Sequence, residues 1–295
     1  MNTRVLFTPE AIKECGTWAI VGKRRSGKTG WARYLCTYLA CQLFVIVAGS
    51  TECRMEWRLV VPDLFIIDKD PRVIQNIITH QNELVMREGH VPDDRKVCLI
   101  FDDCGCEKKF MNHTFMYDLF ANGRHYGLTI ILAMQAFNQL HLQNRANLDY
   151  MCLLNAPNQS DLKKIFTEYG GTHTKKDMLA HIVQAVAGVS GVDYEHFSPD
   201  ETDHSPRRGM CIIDNTNSDG TRLYSMLHSQ ERHNNPTPLM TLPPDVHVVP
   251  CSTLKNNNQD GSAIMFNIQG RTHQLVHTAG MRRDTSPNHG QHLKN

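Results

Sequence analysis

The chain reads as an α/β protein with a mainly parallel central sheet flanked by helices, and three observations predict it. Short, continuous apolar runs such as Leu43 to Ala48 and Leu128 to Met134 have the length and composition of strands buried on both faces. Between them lie longer segments with apolar residues at helical spacing, for example Val73, Ile74, Ile77, Ile78, Leu84 and Val85. A glycine-rich octapeptide, GKRRSGKT, joins one apolar strand to one such helix, the layout of a phosphate-binding βα turn.

That octapeptide organises the rest. Gly22, Lys23, Arg24, Arg25, Ser26, Gly27, Lys28 and Thr29 satisfy G-x-x-x-x-G-K-[ST] at every fixed position, between the strand residues Thr17 to Val21 and a helix marked by Trp31, Tyr34, Leu35, Tyr38 and Leu39. Gly22 and Gly27 let the backbone wrap with its N–H groups inward, and the helix N-terminus adds positive potential where phosphates sit. Lys28 is then expected to reach the β- and γ-phosphates of ATP, and the Thr29 hydroxyl to bind Mg2+.

The run after the helix, Leu43 to Ala48, predicts the next strand of a βαβ unit, followed by a short one at Leu64 to Ile67. Asp70 and Pro71 have the types of an N-cap and first helical residue, and Gly89 stops that helix. The segment KVCLIFDDCG, Lys96 to Gly105, is apolar up to two aspartates, the pattern of a Walker B strand. A carboxylate at the carboxyl end of a parallel strand can hold Mg2+, which assigns Asp102 to the metal; Asp103 would orient or deprotonate the attacking water. The strand Leu128 to Met134 ends in Gln135, placed to sense the γ-phosphate or the lytic water. Further on, a strand at Tyr150 to Leu154, a helix capped by Ser160, a helix through Met178 to Val186, and a hairpin of Gly209 to Ile213 with Arg222 to Leu227 complete a domain over residues 1–228. Residues 229–295 are Asn-, Gln-, His- and Pro-rich and read as an extended or partly disordered polar tail.

Composition narrows the classes. The 295 residues suffice for a large core, and a net charge of +1 requires any nucleic-acid partner to be held by local basic patches. The N-terminus has no apolar signal-like segment, and no run approaches the roughly 20 apolar residues that span a bilayer, so neither secretion nor a membrane span is expected. The 10 cysteines show no C-x-x-C pairs and read as reduced, mostly buried thiols; Cys104 and Cys106 are too closely spaced for a structural zinc site. His273 and His277 share H-x-x-x-H spacing, but Gln274 stands where a zinc protease needs glutamate.

The runs LIFDDCG, NGRHYGLTIILAMQ and NRANLDYMCLLN, set behind GKRRSGKT, resemble the poxvirus-type virion DNA-packaging ATPases of large nucleocytoplasmic DNA viruses, within the FtsK/HerA superfamily. The likeness covers about Thr17 to Leu227. It implies a RecA-like P-loop NTPase core, a homo-oligomeric ring, and ATP-driven movement of double-stranded DNA into a preformed capsid, with capsid or portal-vertex proteins as partners. The corresponding location is the host-cell cytoplasm at the assembly site, or the virion. By matching position, Gly22 to Thr29 are Walker A, Asp102 and Asp103 are Walker B, Gln135 is the sensor, and Arg124 is the arginine finger reaching a neighbour's site. Arg145 is the rival finger, or a structural partner of Asp149. Many relatives carry glutamate where this chain has Asp103, a side chain one methylene longer. Two other readings compete: a nucleotide-gated scaffold or capsid-assembly protein without useful turnover, and a small-molecule phosphotransferase. The second is disfavoured by the lack of an arginine-rich lid and by Gln135.

Overall fold

A computed structural model of the chain describes residues 5–7, 12–105, 107–187, 207–216, 222–229, 238–240, 247–249, 261–268 and 271–278. Two compact units divide between Leu242 and Pro243.

The first unit is built on a nine-stranded sheet. Its strands are β1 (Val5–Leu6), β2 (Thr17–Val21), β3 (Leu43–Ala48), β4 (Ile66–Ile67), β5 (Val97–Asp102), β6 (Leu128–Met134), β7 (Tyr150–Leu153), β8 (Arg207–Asp214) and β9 (Arg222–Ser229), in the spatial order β1-β9-β8-β7-β2-β6-β5-β3-β4. From β7 to β4 all neighbours are parallel, while β8 and β9 form an antiparallel hairpin closing on β7. Every residue of β5 and β6 is buried, which is why these strands read as unbroken apolar runs. The phosphate-loop strand β2 lies between β6 and β7, and the strand separating it from β5 in the sheet is the Gln135-tipped β6.

The helices are α1 (Lys28–Cys36), α2 (Thr51–Trp57), α3 (Pro71–Glu88), α4 (Lys108–Met111), α5 (Thr114–Asn122), α6 (Leu142–Ala146), α7 (Gln159–Tyr169) and α8 (Lys175–Ala187). Helix α3 starts as its sequence predicts: the Asp70 side chain accepts from the Arg72 N–H, Pro71 opens the helix, and Gly89 ends it at φ 78. Helix α7 differs in its cap. Asn158, two residues before Ser160, accepts from the Asp161 N–H and fixes the start. Helix α2 was not anticipated, although Ser50 caps it and Cys53 and Trp57 bury one face at i, i+4 spacing. Strand β1, two residues long, also lacks a periodic signal; it pairs in parallel with β9.

The first unit runs past Ser229 because residues 238–240 return to it: the Leu239 and Met240 N–H groups donate to the Val60 carbonyl just after α2, at 2.9 and 3.4 Å. In the second unit, where an extended tail was expected, β10 (His247–Val249), β11 (Gly261–Ile268) and β12 (Arg271–Thr278) form an antiparallel sheet. Two residues, Gln269 and Gly270, separate β11 from β12, the spacing of a tight hairpin, in a stretch whose polar composition had masked the signal. The remainder of the predicted tail lies outside the described residues, as does Cys106. Among the described residues no helix is long and apolar enough to cross a membrane.

Candidate active site

The carboxyl ends of the parallel strands gather the predicted residues on one edge of the sheet. The Gly22 N–H donates to the Met134 carbonyl at 3.1 Å, so the phosphate loop begins against the end of β6 and next to Gln135. The Lys23 N–H donates to Asn155 Oδ1 at 2.9 Å, tying the other side of the loop to the end of β7. Arg25 and Gly27 take positive φ values of 63 and 83, which fold the loop into a concave backbone nest ahead of α1. Gly22 sits in a close approach: a Cβ there would lie 2.4 Å from Ser26 Oγ and 3.0 Å from Leu154 Cβ, so Ser26 would have to shift to admit a side chain. Lys23, Arg24 and Arg25 are exposed at the loop's tip.

Lys28 Nζ donates to the Gly22 and Lys23 carbonyls, both at 3.0 Å, so the ammonium is held over the loop. Burial lowers its pKa, and Asp102 and Asp103 oppose that shift, which puts both carboxylates within electrostatic reach of the lysine.

Asp102 ends β5 and is only 2% exposed. Burial raises its pKa, while hydrogen bonds from the Trp57 indole (Nε1 to Oδ2, 2.9 Å) and the Thr29 hydroxyl favour its charged form. Trp57, fully buried at the end of α2, was missed by sequence reasoning because α2 itself was missed. Asp103 is half-buried and sits at φ 57, a left-handed conformation in which aspartate is among the better-tolerated residues. The turn is locked onto β3. The Gly49 N–H donates to the Asp102 carbonyl at 2.8 Å, and Cys104 Sγ donates to the Val47 carbonyl at 3.3 Å. A Cβ on Gly49 would stand 1.9 Å from the Asp103 carbonyl oxygen. Cys104 is thus a buried thiol with backbone partners, and among the described residues no group of three or more His, Cys, Asp or Glu side chains could hold a metal.

Gln135 is exposed at the end of β6, and its N–H donates to Gln139 Oε1 at 2.9 Å. The same oxygen accepts from the Ala136 N–H, and the Gln139 amide fills the space over Gly105. Gln139 therefore links the end of β6 to the turn after β5, a role that no motif announces.

Arg124 lies elsewhere. It sits in a 3-10 turn, Gly123–Tyr126, ahead of β6, on the amino edge of the sheet. The seven residues of β6 put that edge roughly 20 Å from the phosphate loop. Its side chain is exposed and makes no hydrogen bond or ion pair among the described residues. Arg145 is already committed: it pairs with Glu168 at 2.9 Å and lies 4.7 Å from the centre of the Phe137 ring. Its expected partner Asp149 instead accepts from the Thr17 N–H at 2.8 Å.

The profile of the poxvirus A32 protein family matches residues 10–190, the segment that holds the loop, Asp102, Asp103, Arg124, Gln135 and Arg145. The chain belongs to the poxvirus A32 protein family. Other similarities fall on viral proteins too: 28% identity over 173 residues to uncharacterised protein 075L of Invertebrate iridescent virus 6, covering 57% of this chain and 66% of that one. An uncharacterised protein of Acanthamoeba polyphaga mimivirus is 30% identical over 162 residues, 52% of this chain and 56% of its own length. The chain thus spans between about half and two thirds of these relatives. Among solved structures, the DNA-packaging ATPase B204 of Sulfolobus turreted icosahedral virus aligns over 74% of this chain and 100% of that one, at 14% identity and a TM-score of 0.45. For this A32-family chain, the fold is an α/β P-loop core with its phosphate loop at the centre of the sheet.

Proposed function

We propose that the chain is an ATP-hydrolysing motor that moves viral double-stranded DNA into a capsid. The observation that carries the reading is the convergence, on one sheet edge, of a nest-forming loop with Lys28 and Thr29, the buried Asp102, the half-buried Asp103 and the Gln135 end of β6. Membership of the A32 family supports the genome-packaging part.

The residues fit a nucleotide and its metal. Ser26 Oγ is buried without a hydrogen-bond partner among the described residues, at the floor of a loop whose amides are arranged for anions. The Thr29 hydroxyl and the Asp102 carboxylate are hard oxygen donors already in contact, the kind of set that Mg2+ takes alongside phosphates and water. When bound, Mg2+ supplies positive charge against the phosphates. Lys28 stabilises the charge that builds on the phosphoryl oxygens during transfer, exchanging its loop carbonyls for phosphate oxygens. Asp103, whose carboxylate has no hydrogen bond among the described residues, orients the lytic water and accepts its proton. Gln135 holds the other side of that water or the γ-phosphate. Arg124 is too far from its own loop to act there, so it serves the site of an adjacent subunit in a ring, as an arginine finger worth roughly 10³ to 10⁵ in rate. The DNA contacts are to phosphates, since a packaging motor must accept any sequence. Capsid or portal-vertex proteins are the expected docking partners, at the cytoplasmic assembly site or in the virion.

The deciding experiment is phosphate release from ATP with and without duplex DNA. DNA-stimulated hydrolysis is expected. Nucleotide binding without turnover would favour a nucleotide-gated scaffold, and transfer of phosphate to a small acceptor would favour a phosphotransferase.

A further inference from the structure

Trp57 is fully buried at the end of α2, an element that carries none of the nucleotide-binding motifs. Its indole Nε1 donates to Asp102 Oδ2 at 2.9 Å, a contact between residues 45 positions apart. Packing alone does not account for that contact. Trp18 is equally buried and its Nε1 has no hydrogen-bond partner among the described residues, so filling the core does not by itself require one. The Asp102 carboxylate also bonds the Thr29 hydroxyl, which places it between α1, behind the phosphate loop, and α2. Cys53, one turn before Trp57 on the same buried face, directs its thiol to the Asp102 carbonyl at 3.7 Å. Both buried residues of α2 therefore close on Asp102.

The helix that carries the indole is itself pinned at both ends. Ser50 caps it, directly after Gly49, whose N–H donates to the Asp102 carbonyl. In its last turn the Glu56 carbonyl, one of those a helix end leaves open, accepts from Arg33 Nη1 at 3.0 Å. Arg33 belongs to α1 and is only 7% exposed, so the phosphate-loop helix holds the α2 end that presents Trp57. A carboxylate that binds a metal is commonly oriented by such an outer hydrogen bond, and losing it typically costs about 10- to 100-fold in metal affinity or activity.

We propose that Trp57 is the positioning residue for the metal-holding carboxylate: its N–H fixes Asp102 Oδ2, so that the carboxylate meets the Mg2+ of a bound nucleotide in one orientation. The inference rests on the nucleotide reading above and deepens it by making α2 a determinant of metal affinity. Removing the N–H leaves the loop, Lys28 and Thr29 in place. Nucleotide binding without metal should then persist, while the contribution of the metal falls.

Two replacements separate the N–H from the bulk of the ring. Trp57→Phe removes both the N–H and part of the volume. Site-specific replacement of Trp57 by 3-benzothienylalanine, which has sulfur where indole has its N–H, removes the donor at nearly constant shape. The Kd of a fluorescent, non-hydrolysable ATP analogue is measured for each full-length protein in Mg2+ and in EDTA. The factor by which Mg2+ tightens binding to wild type should shrink about tenfold in both variants, with the EDTA value unchanged. A wild-type Mg2+ factor in the benzothienylalanine protein would overturn the positioning role and leave Trp57 as core packing, whatever the fate of Trp57→Phe. Equal weakening in Mg2+ and EDTA would overturn it as well, since the damage would then lie in the loop. A wild type that binds the analogue no better in Mg2+ than in EDTA would instead overturn the metal assignment of Asp102, and this proposal with it.

Discussion

Asp102 and Asp103 are adjacent in sequence and opposite in environment, and that difference sets what each substitution should do. Asp102 is buried, with the Trp57 indole and the Thr29 hydroxyl among its donors, and burial raises its carboxyl pKa. The native state therefore keeps a proton that the unfolded chain has already lost, so stability falls as pH rises from the ordinary carboxylate value through the raised one. Asp102→Asn removes this penalty and keeps an oxygen for the Trp57 indole. The ligand-free variant should melt at or above the wild-type temperature at neutral pH, yet gain nothing from ATP with Mg2+, where the wild type gains about 2.7 kcal/mol at a hundredfold excess over Kd. A melting temperature below wild type would show that the carboxylate charge stabilises the empty site. Asp103→Asn preserves the tolerance for φ 57 and should leave nucleotide binding intact while hydrolysis drops by about 10² to 10⁴. Binding lost in step with turnover would make Asp103 a metal ligand instead. Lys28→Ala should lower kcat/KM by about 10² to 10³ in a steady-state phosphate-release assay, because the loop loses the half-buried cation held over it.

At the scale of elements, the site depends on a β3–α2 segment that carries no catalytic motif. Gly49 ends the register that pairs Ala48 with Asp102, and only its missing side chain lets the Asp103 carbonyl approach. Gly49→Ala should therefore cost about 1–3 kcal/mol in thermal unfolding and abolish hydrolysis by displacing Asp103; an active, equally stable variant would disprove the packing argument. Sequence reasoning reached β2, β3, β5, β6 and β7 because buried parallel strands are continuous apolar runs, and it reached α3 because its caps are spelled out at Asp70, Pro71 and Gly89. It missed α2 because seven residues give fewer than two full turns of periodicity, and with α2 it missed Trp57. Gly49 and Asn155 escaped for a different reason: each meets the backbone of a residue distant in sequence, and Gln139, bonded locally to the Gln135 and Ala136 amides, reaches the turn after β5 only through its side chain over Gly105, a proximity that no spacing in the chain encodes. Ser160 lost the cap of α7 to Asn158, since both residue types satisfy an N-terminal amide and only the turn geometry chooses between them.

For the whole molecule, the proposal that Arg124 serves an adjacent subunit's site starts from where the topology places that residue. Parallel strands put every phosphate-loop feature on the carboxyl edge and Arg124 on the amino edge, with the length of β6 between them. Arg145, the other candidate, spends its guanidinium on Glu168 and the Phe137 ring. Freeing it would break a mostly buried pair, whereas Arg124 gives up no ion pair or hydrogen bond described within its own chain. If Arg124 serves an adjacent subunit, Arg124→Ala should bind ATP with wild-type affinity and hydrolyse it about 10³-fold or more slowly. Lys28→Ala carries the complementary defect, a dead site with an intact arginine. Mixing the two variants should place some wild-type arginines beside some wild-type loops and restore part of the activity. Titrating one variant against the other should give a maximum at intermediate ratios, because only mixed neighbours form complete sites. A mixture that stays as inactive as its components, in rings verified by light scattering, would confine Arg124 to its own subunit and return Arg145 to consideration, with Arg145→Ala in the same mixing assay as the direct comparison.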